Sequence, residues 1–241
     1  MNQASNPKCA VVGYGSWATA IVKTLTINHH HVDWLVLNDD IRESLETRSL
    51  NSKYLPWCYI DHEFFTASAD INEVVRDADI VILAMPSAFL KKFLEPLTVS
   101  LTDKIVVSAV KGIIPGDYLT IVEHMNRYHN VPMSNLAVVT GPSHAEEVGQ
   151  CQLSYLTVAA DNMETAERVR DVLNNDFFRC SLSDDVLGVE AAAIMKNVYA
   201  LAVGIAVGLR YGDNFLAVLI SCCAAEMKHF IDEAVPKEDR N

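Results

Sequence analysis

The chain has no C-x-x-C pair, no internal repeat, no low-complexity linker and no excess of basic charge. Its six cysteines (Cys9, Cys58, Cys151, Cys180, Cys222 and Cys223) show no metal-ligand spacing, and they read as reduced thiols of a cytosolic protein. Three consecutive histidines, His29, His30 and His31, cannot all face one ion, so no metal is expected. The longest uncharged apolar stretch, Val198–Leu209, falls well short of the roughly 20 residues a membrane span needs. The first residues, MNQASNPKCAVVGYG, hold no signal-peptide core, so a soluble chain without membrane insertion is expected. A net charge of −12, from 31 acids against 19 Lys plus Arg, argues against nucleic acid as a partner. It leaves room for a small phosphate-bearing ligand, because a few local donors suffice to hold one.

What is present is globular: 241 residues, 50% hydrophobic and 21% charged. Short apolar runs, Cys9–Val12, Val32–Leu37, Asp79–Met85, Lys104–Val110 and Leu136–Thr140, alternate with helical stretches. Tyr155–Ala159 and Phe177–Leu182 follow with a helix between them. This order predicts an α/β fold with a Rossmann-type, doubly wound, mainly parallel sheet. The stretch Val189–Asn214 is apolar around every face, predicting a long buried helix that begins an all-helical C-terminal domain. The division expected is residues 1–186 for the dinucleotide-binding part and 187–241 for a partial helical part.

Several constellations sit where chemistry would need them. Gly13-x-Gly15-x-x-Ala18 follows a strand and opens a helix, which is the pattern of a pyrophosphate cradle or, more simply, of a tight βα turn. Asn38-Asp39-Asp40 at the end of the second strand brings two acids and no immediate cation, favouring NAD over NADP. Ser143 and Glu146 fit a capping box, but Gly141-Pro142-Ser143 at a strand end also suits substrate, while His144 reads as structural. Lys111 stands at a strand end where packing does not require it: exposed lysine or functional one. Lys196 lies mid-helix among apolar residues, where it either snorkels to the surface or is paired and used. Glu190 and Asn197, seven positions apart, share a helix face, with Lys196 about 100° round. Glu190 is therefore expected to satisfy Asn197 or neighbouring backbone rather than Lys196.

Taken together, GYGSWATA, NSKYLP, ADIVILAMPSAFL, the Lys111 segment, GPSHAEEV, GVEAAAIMKNVYALAVGI and YGDN run in one order along nearly the whole chain. In that order they resemble the bacterial NAD(P)-dependent sn-glycerol-3-phosphate dehydrogenases. The resemblance implies that Gly13, Gly15, Ser16, Trp17, Ala18, Asn38, Tyr54, Lys111 and Ala145 lie along NAD or NADP. It implies that Lys111, Gly141, Ser143, Lys196 and Asn197 hold a small phosphate substrate. Lys196, with Lys111, would be catalytic in the reversible reduction of dihydroxyacetone phosphate to sn-glycerol 3-phosphate.

There are departures. Leu37-Asn38 replaces a basic residue common in that family at this place, and Ala18 replaces the third glycine. The family's later Gly-Asp-Leu segment and Arg-Asn pair have no counterpart, and Arg240-Asn241 matches the dipeptide only by coincidence. The expectation is a truncated member with exposed apolar faces on Val198–Leu209 and Phe215–Met227, assembling as a homodimer. The alternative is an NAD(H)-binding chain without turnover.

Overall fold

The computed structural model describes residues 6–234; Arg240-Asn241 lies outside them. Eight strands form one sheet in the order β3-β2-β1-β4-β5-β6-β7-β8. They are β1 (Cys9–Val12), β2 (Val32–Leu35), β3 (Phe65–Ser68), β4 (Ile80–Leu83), β5 (Ile105–Ser108), β6 (Leu136–Thr140), β7 (Ser154–Ala159) and β8 (Phe178–Ser183). Every neighbouring pair is parallel except β6 with β7. The doubly wound, mainly parallel expectation is met.

The apolar runs are continuous because both faces of the sheet are covered. Cys9 and Val11 enter one core with Ile21, Leu25 and Val169, and Ala10 and Val12 enter the other with Val74, Leu90 and Met125. The helices that cover the faces are α1 (Ser16–Ile27), α2 (Asp39–Arg48), α3 (Ile71–Arg76), α4 (Leu90–Leu94), α5 (Ile121–His129), α6 (Ala145–Gly149) and α7 (Met163–Leu173). The starts of α2, α3, α5 and α7 are written in side chains that accept the first free backbone N–H groups. Asn38 accepts from Ile41 N, Asp70 from Asn72 N and Asn162 from Glu164 N, and Thr120 with Glu123 completes a capping box on α5.

The long apolar segment departs from expectation in two ways. Its helix, α8 (Val186–Gly208), stops short of Asn214, and a second helix, α9 (Asp213–Ala234), packs on it. The break falls where Arg210 takes a left-handed φ of 63° and Tyr211 stacks on Phe215. Nor is α8 buried as a whole: Val198 and Leu201 are 65% and 66% exposed, and Val218 and Ile220 of α9 are exposed too. Only its first half docks on the sheet, against β6 and β7, so the exposed faces expected on Val198–Leu209 and Phe215–Met227 are present. By length and composition alone α8 and α9 could each cross a membrane, since the helix runs on through Glu190 and Lys196 rather than stopping at the uncharged stretch. Both charged groups of α8, however, are hydrogen-bonded into the sheet domain.

Candidate active site

The strand order turns between β1 and β4, and a cleft of about 730 Å³ opens there along the carboxyl ends of the strands. It runs from Leu37 and Tyr54 at one end to Lys111, Ser143 and Ala145 at the other, past Ser16, Trp17 and Pro86.

The glycine turn after β1 is sterically required. Gly13 has φ +121°, and a Cβ there would lie 2.3 Å from the Ala84 carbonyl oxygen. Gly15 is the N-cap of α1 without a side-chain cap, and a Cβ on it would meet nothing within 4 Å. The twelve-residue α1 thus presents uncapped N–H groups, with no acid in its first turn, to open space. Ala18 is fully buried against the sheet, where the small third fingerprint residue is needed. Trp17 has its Nε1 buried without a hydrogen-bond partner among the described residues. An orphaned donor beside an open glycine cradle fits a dinucleotide.

Sequence reasoning missed what holds this turn in place. Asn51 is fully buried, and its Nδ2 donates to Tyr14 O at 2.9 Å and Thr19 Oγ1 at 2.8 Å. Its Oδ1 accepts from Lys53 N and Tyr54 N. One side chain therefore ties the Lys53-Tyr54 loop to the glycine turn, and Trp34 Nε1 donates to Gly13 O at 2.7 Å from β2. Phe89, Lys92 and Phe93 from the β4 side were also missed as cleft residues, and Tyr14 packs its ring on Tyr54 and Phe93. NSKYLP carried a signal for Asn51, and GYGSWATA and ADIVILAMPSAFL hold Tyr14 and Phe89; Lys92 and Phe93 carried none.

At the end of β2 no cation is adjacent in sequence, but the fold brings one in. Lys53 Nζ lies 3.3 Å from Asn38 Oδ1 and 3.2 Å from Asp40 Oδ2. Asn38 does not line the cleft itself, and its Oδ1 is engaged by Ile41 N as the cap of α2.

At the other end Lys111 lines the cleft, and Lys196 stands beside it, outside the lining. Lys196 Nζ donates to Gly141 O at 2.9 Å, so it does not snorkel outward. Burial holds its pKa below the ordinary lysine value, and the Lys111 ammonium beside it lowers it further. Lys111 also places its Nζ 5.7 Å from the centre of the Trp17 ring. Lys111 stands past the end of β5 rather than on it, followed by Gly112 with φ +115°. Gly141 is constrained as well, since a Cβ there would come within 2.6 Å of Tyr155 O.

Ser143 is buried and its Oγ donates to Tyr155 O at 3.4 Å. The capping-box reading of Ser143 and Glu146 is wrong: the N-cap of α6 is His144, without a side-chain cap bond, so Ser143 sits one position too early. His144, read as structural, lines the cleft. Asn197 is exposed and lies outside the cleft lining, because α8 turns it away from the face that carries Lys196. Glu190 is buried, and its Oε1 accepts from Ile121 N at 3.0 Å; its Oε2 has no partner among the described residues. The expected backbone partner is found, at the start of α5. Burial pushes the Glu190 carboxyl up to about 7.

Comparison with known proteins places these features in a family context. The family model described as NAD-dependent glycerol-3-phosphate dehydrogenase N-terminus matches residues 8–166, and its C-terminus companion matches 185–240. A protein of Agathobacter rectalis named glycerol-3-phosphate dehydrogenase (NAD(P)+) is 36% identical over 222 residues, which are 91% of this chain and 65% of that protein. One of the same name from Halothermothrix orenii is 36% identical over 224 residues, 91% of this chain and 64% of its own length. The chain thus spans less than two thirds of the length of these curated relatives. A crystal structure of glycerol-3-phosphate dehydrogenase from Coxiella burnetii has a TM-score of 0.83 at 26% identity, covering 94% of this chain and 69% of that one. The Plasmodium falciparum structure, with a TM-score of 0.86 at 22% identity over 94% and 66% of the two chains, supports the fold alone.

Proposed function

Because this chain belongs to the NAD-dependent glycerol-3-phosphate dehydrogenase family, we propose that it interconverts dihydroxyacetone phosphate and sn-glycerol 3-phosphate with NAD(H) or NADP(H). The observation that carries the reading is Lys196, itself outside the cleft lining, held by Gly141 O beside Lys111, which lines the end of the glycine-cradle cleft. We assign residues 1–186 to cofactor binding and 187–241 to the start of the helical substrate domain, rather than to a membrane anchor.

The dinucleotide supplies the hydride; the chain supplies position and the proton. Gly13, Gly15 and the first turn of α1, with Ser16 and Trp17, would cradle the pyrophosphate, and Tyr54 and Ala145 would flank the cofactor. Lys111, Gly141 and Ser143 would hold substrate near the nicotinamide end. Lys196 would protonate the carbonyl oxygen of dihydroxyacetone phosphate as it becomes a hydroxyl, and take that proton back in the oxidation. A lysine whose ammonium is disfavoured by burial and by a second cation releases its proton more readily than an exposed one. Its bond to Gly141 O fixes the direction of approach. Asn197, exposed on α8, has no part in this assignment.

A second reading, dinucleotide binding without turnover, is favoured by one observation: no arginine lines the cleft among the described residues. A phosphate grip built from lysine alone lacks the bidentate bonds that guanidinium provides. Lys196→Ala separates the two readings. Under the enzymatic one, turnover falls by about 10²–10⁴-fold while the dissociation constant for NADH stays within about twofold. Turnover by the wild-type chain that survives in the variant would take the proton role away from Lys196.

A further inference from the structure

The end of β2 is where a dinucleotide site meets the adenosine ribose, and the charges there decide whether a 2′-hydroxyl or a 2′-phosphate is accepted. Leu37 and Tyr54 line this end of the cleft. Asp39 and Asp40 follow, both exposed, and two bare carboxylates would repel a 2′-phosphate. Neither is bare. Arg42 pairs with Asp39 while its Nη1 donates to Val36 O at 2.6 Å, so this guanidinium is committed to the strand end. Lys53 pairs with Asp40 and with Asn38, its side chain 48% exposed.

Lys53 reaches this place from outside the β2–α2 connection. It is carried by the loop that Asn51 anchors to Tyr14 and Thr19, and its neighbour Tyr54 lines the cleft. The ammonium is therefore delivered by a segment fixed to the glycine turn itself. Its two acceptors differ in kind. Asn38 Oδ1 is already shared with Ile41 N, whereas Asp40 is 78% exposed and can give up its bond to Lys53 for hydration by water.

Resting on the dinucleotide reading above, we infer that Lys53 is a specificity-determining residue that admits a 2′-phosphorylated dinucleotide. Lys53 exchanges Asp40 for the 2′-phosphate, and Asp40 is the internal anion against which that phosphate competes. NAD(H), with a 2′-hydroxyl, leaves the Lys53–Asp40 pair intact. The chain then accepts both cofactors although no basic residue stands at Leu37 or Asn38.

The test measures dissociation constants of NADPH and NADH by tryptophan fluorescence for the wild-type chain, Lys53→Met, Lys53→Arg and Asp40→Asn, with circular dichroism as the folding control. Lys53→Met is expected to weaken NADPH about tenfold and NADH by less than about threefold, the size expected for one partly exposed charge-assisted contact. Lys53→Arg should restore NADPH binding, and Asp40→Asn should tighten it. An unchanged NADPH-to-NADH ratio in folded Lys53→Met overturns the inference, as does weaker NADPH binding by Asp40→Asn. A wild-type chain that binds NADH but not NADPH defeats the inference alone. One that is folded and binds neither defeats the dinucleotide reading with it.

Discussion

Replacing Glu190 by Gln should reshape how stability depends on pH. The carboxyl of Glu190 sits 1% exposed between α8 and the first backbone N–H of α5, with one oxygen bonded to Ile121 N at 3.0 Å. Burial raises its pKa from 4.5 to about 7, outweighing the hydrogen bonds, which favour the charged form. Between those two values the folded chain holds a proton that the unfolded chain has released. The contribution of Glu190 to wild-type stability therefore falls as pH rises through that window, by about 3 kcal/mol in all. Gln has no proton to lose. It keeps an acceptor for Ile121 N and, like the protonated carboxyl, carries a donor beside the unpartnered Oε2 position, so its offset from protonated wild type does not vary with pH. The stability of Glu190→Gln minus that of wild type should thus be constant below pH 4.5 and climb by about 3 kcal/mol by pH 8. Urea unfolding followed by circular dichroism across pH 4–9 measures the difference. A difference that stays flat across that range would refute the reasoning, since Glu190 would then titrate alike in both states.

Other perturbations follow from the same geometry. In the reductive direction the rate should fall as pH rises through the Lys196 pKa, below the ordinary lysine range; Lys111→Met, which removes the adjacent charge, should move that limb to higher pH. Gly13→Ala should destabilise the fold by at least about 2 kcal/mol in thermal or urea unfolding, because φ +121° and the Ala84 carbonyl at 2.3 Å both exclude a methyl group. The exposed apolar faces of α8 and α9 should drive concentration-dependent association in light scattering, and Leu201→Glu should weaken it.

The parts of this molecule legible in its sequence are those where local chemistry and tertiary context agree. The runs at β1 and β4 are apolar at every position because both faces are covered, and Gly13 has no alternative residue at its φ. The strand β3 was not legible: Phe65-Thr-Ala-Ser68 is an edge strand with only Phe65 buried, so it carries no apolar run. The helix break at Arg210 was overlooked although Gly208 and Gly212 flank it, because the left-handed turn itself falls on an arginine. Ser143 misled because S-x-x-E is a local pattern, whereas the chain turns into α6 one residue later, at His144. In the site, the lysine buried in an apolar helix pointed to itself, but its partner, Gly141 O, lies 55 positions away. The same holds for Asn51 and for Lys53 on Asn38: contacts made only by the fold leave residues recognisable and their pairings not.

The central claim is that Lys111 and Lys196 complete a reaction site at the end of a dinucleotide cleft. The most direct test is the rate of NADH oxidation, read by absorbance, when dihydroxyacetone phosphate is added to this 241-residue chain. The account predicts oxidation that requires the substrate and is lost in Lys196→Ala. No substrate-dependent rate, with NADH bound and the chain folded, would contradict it.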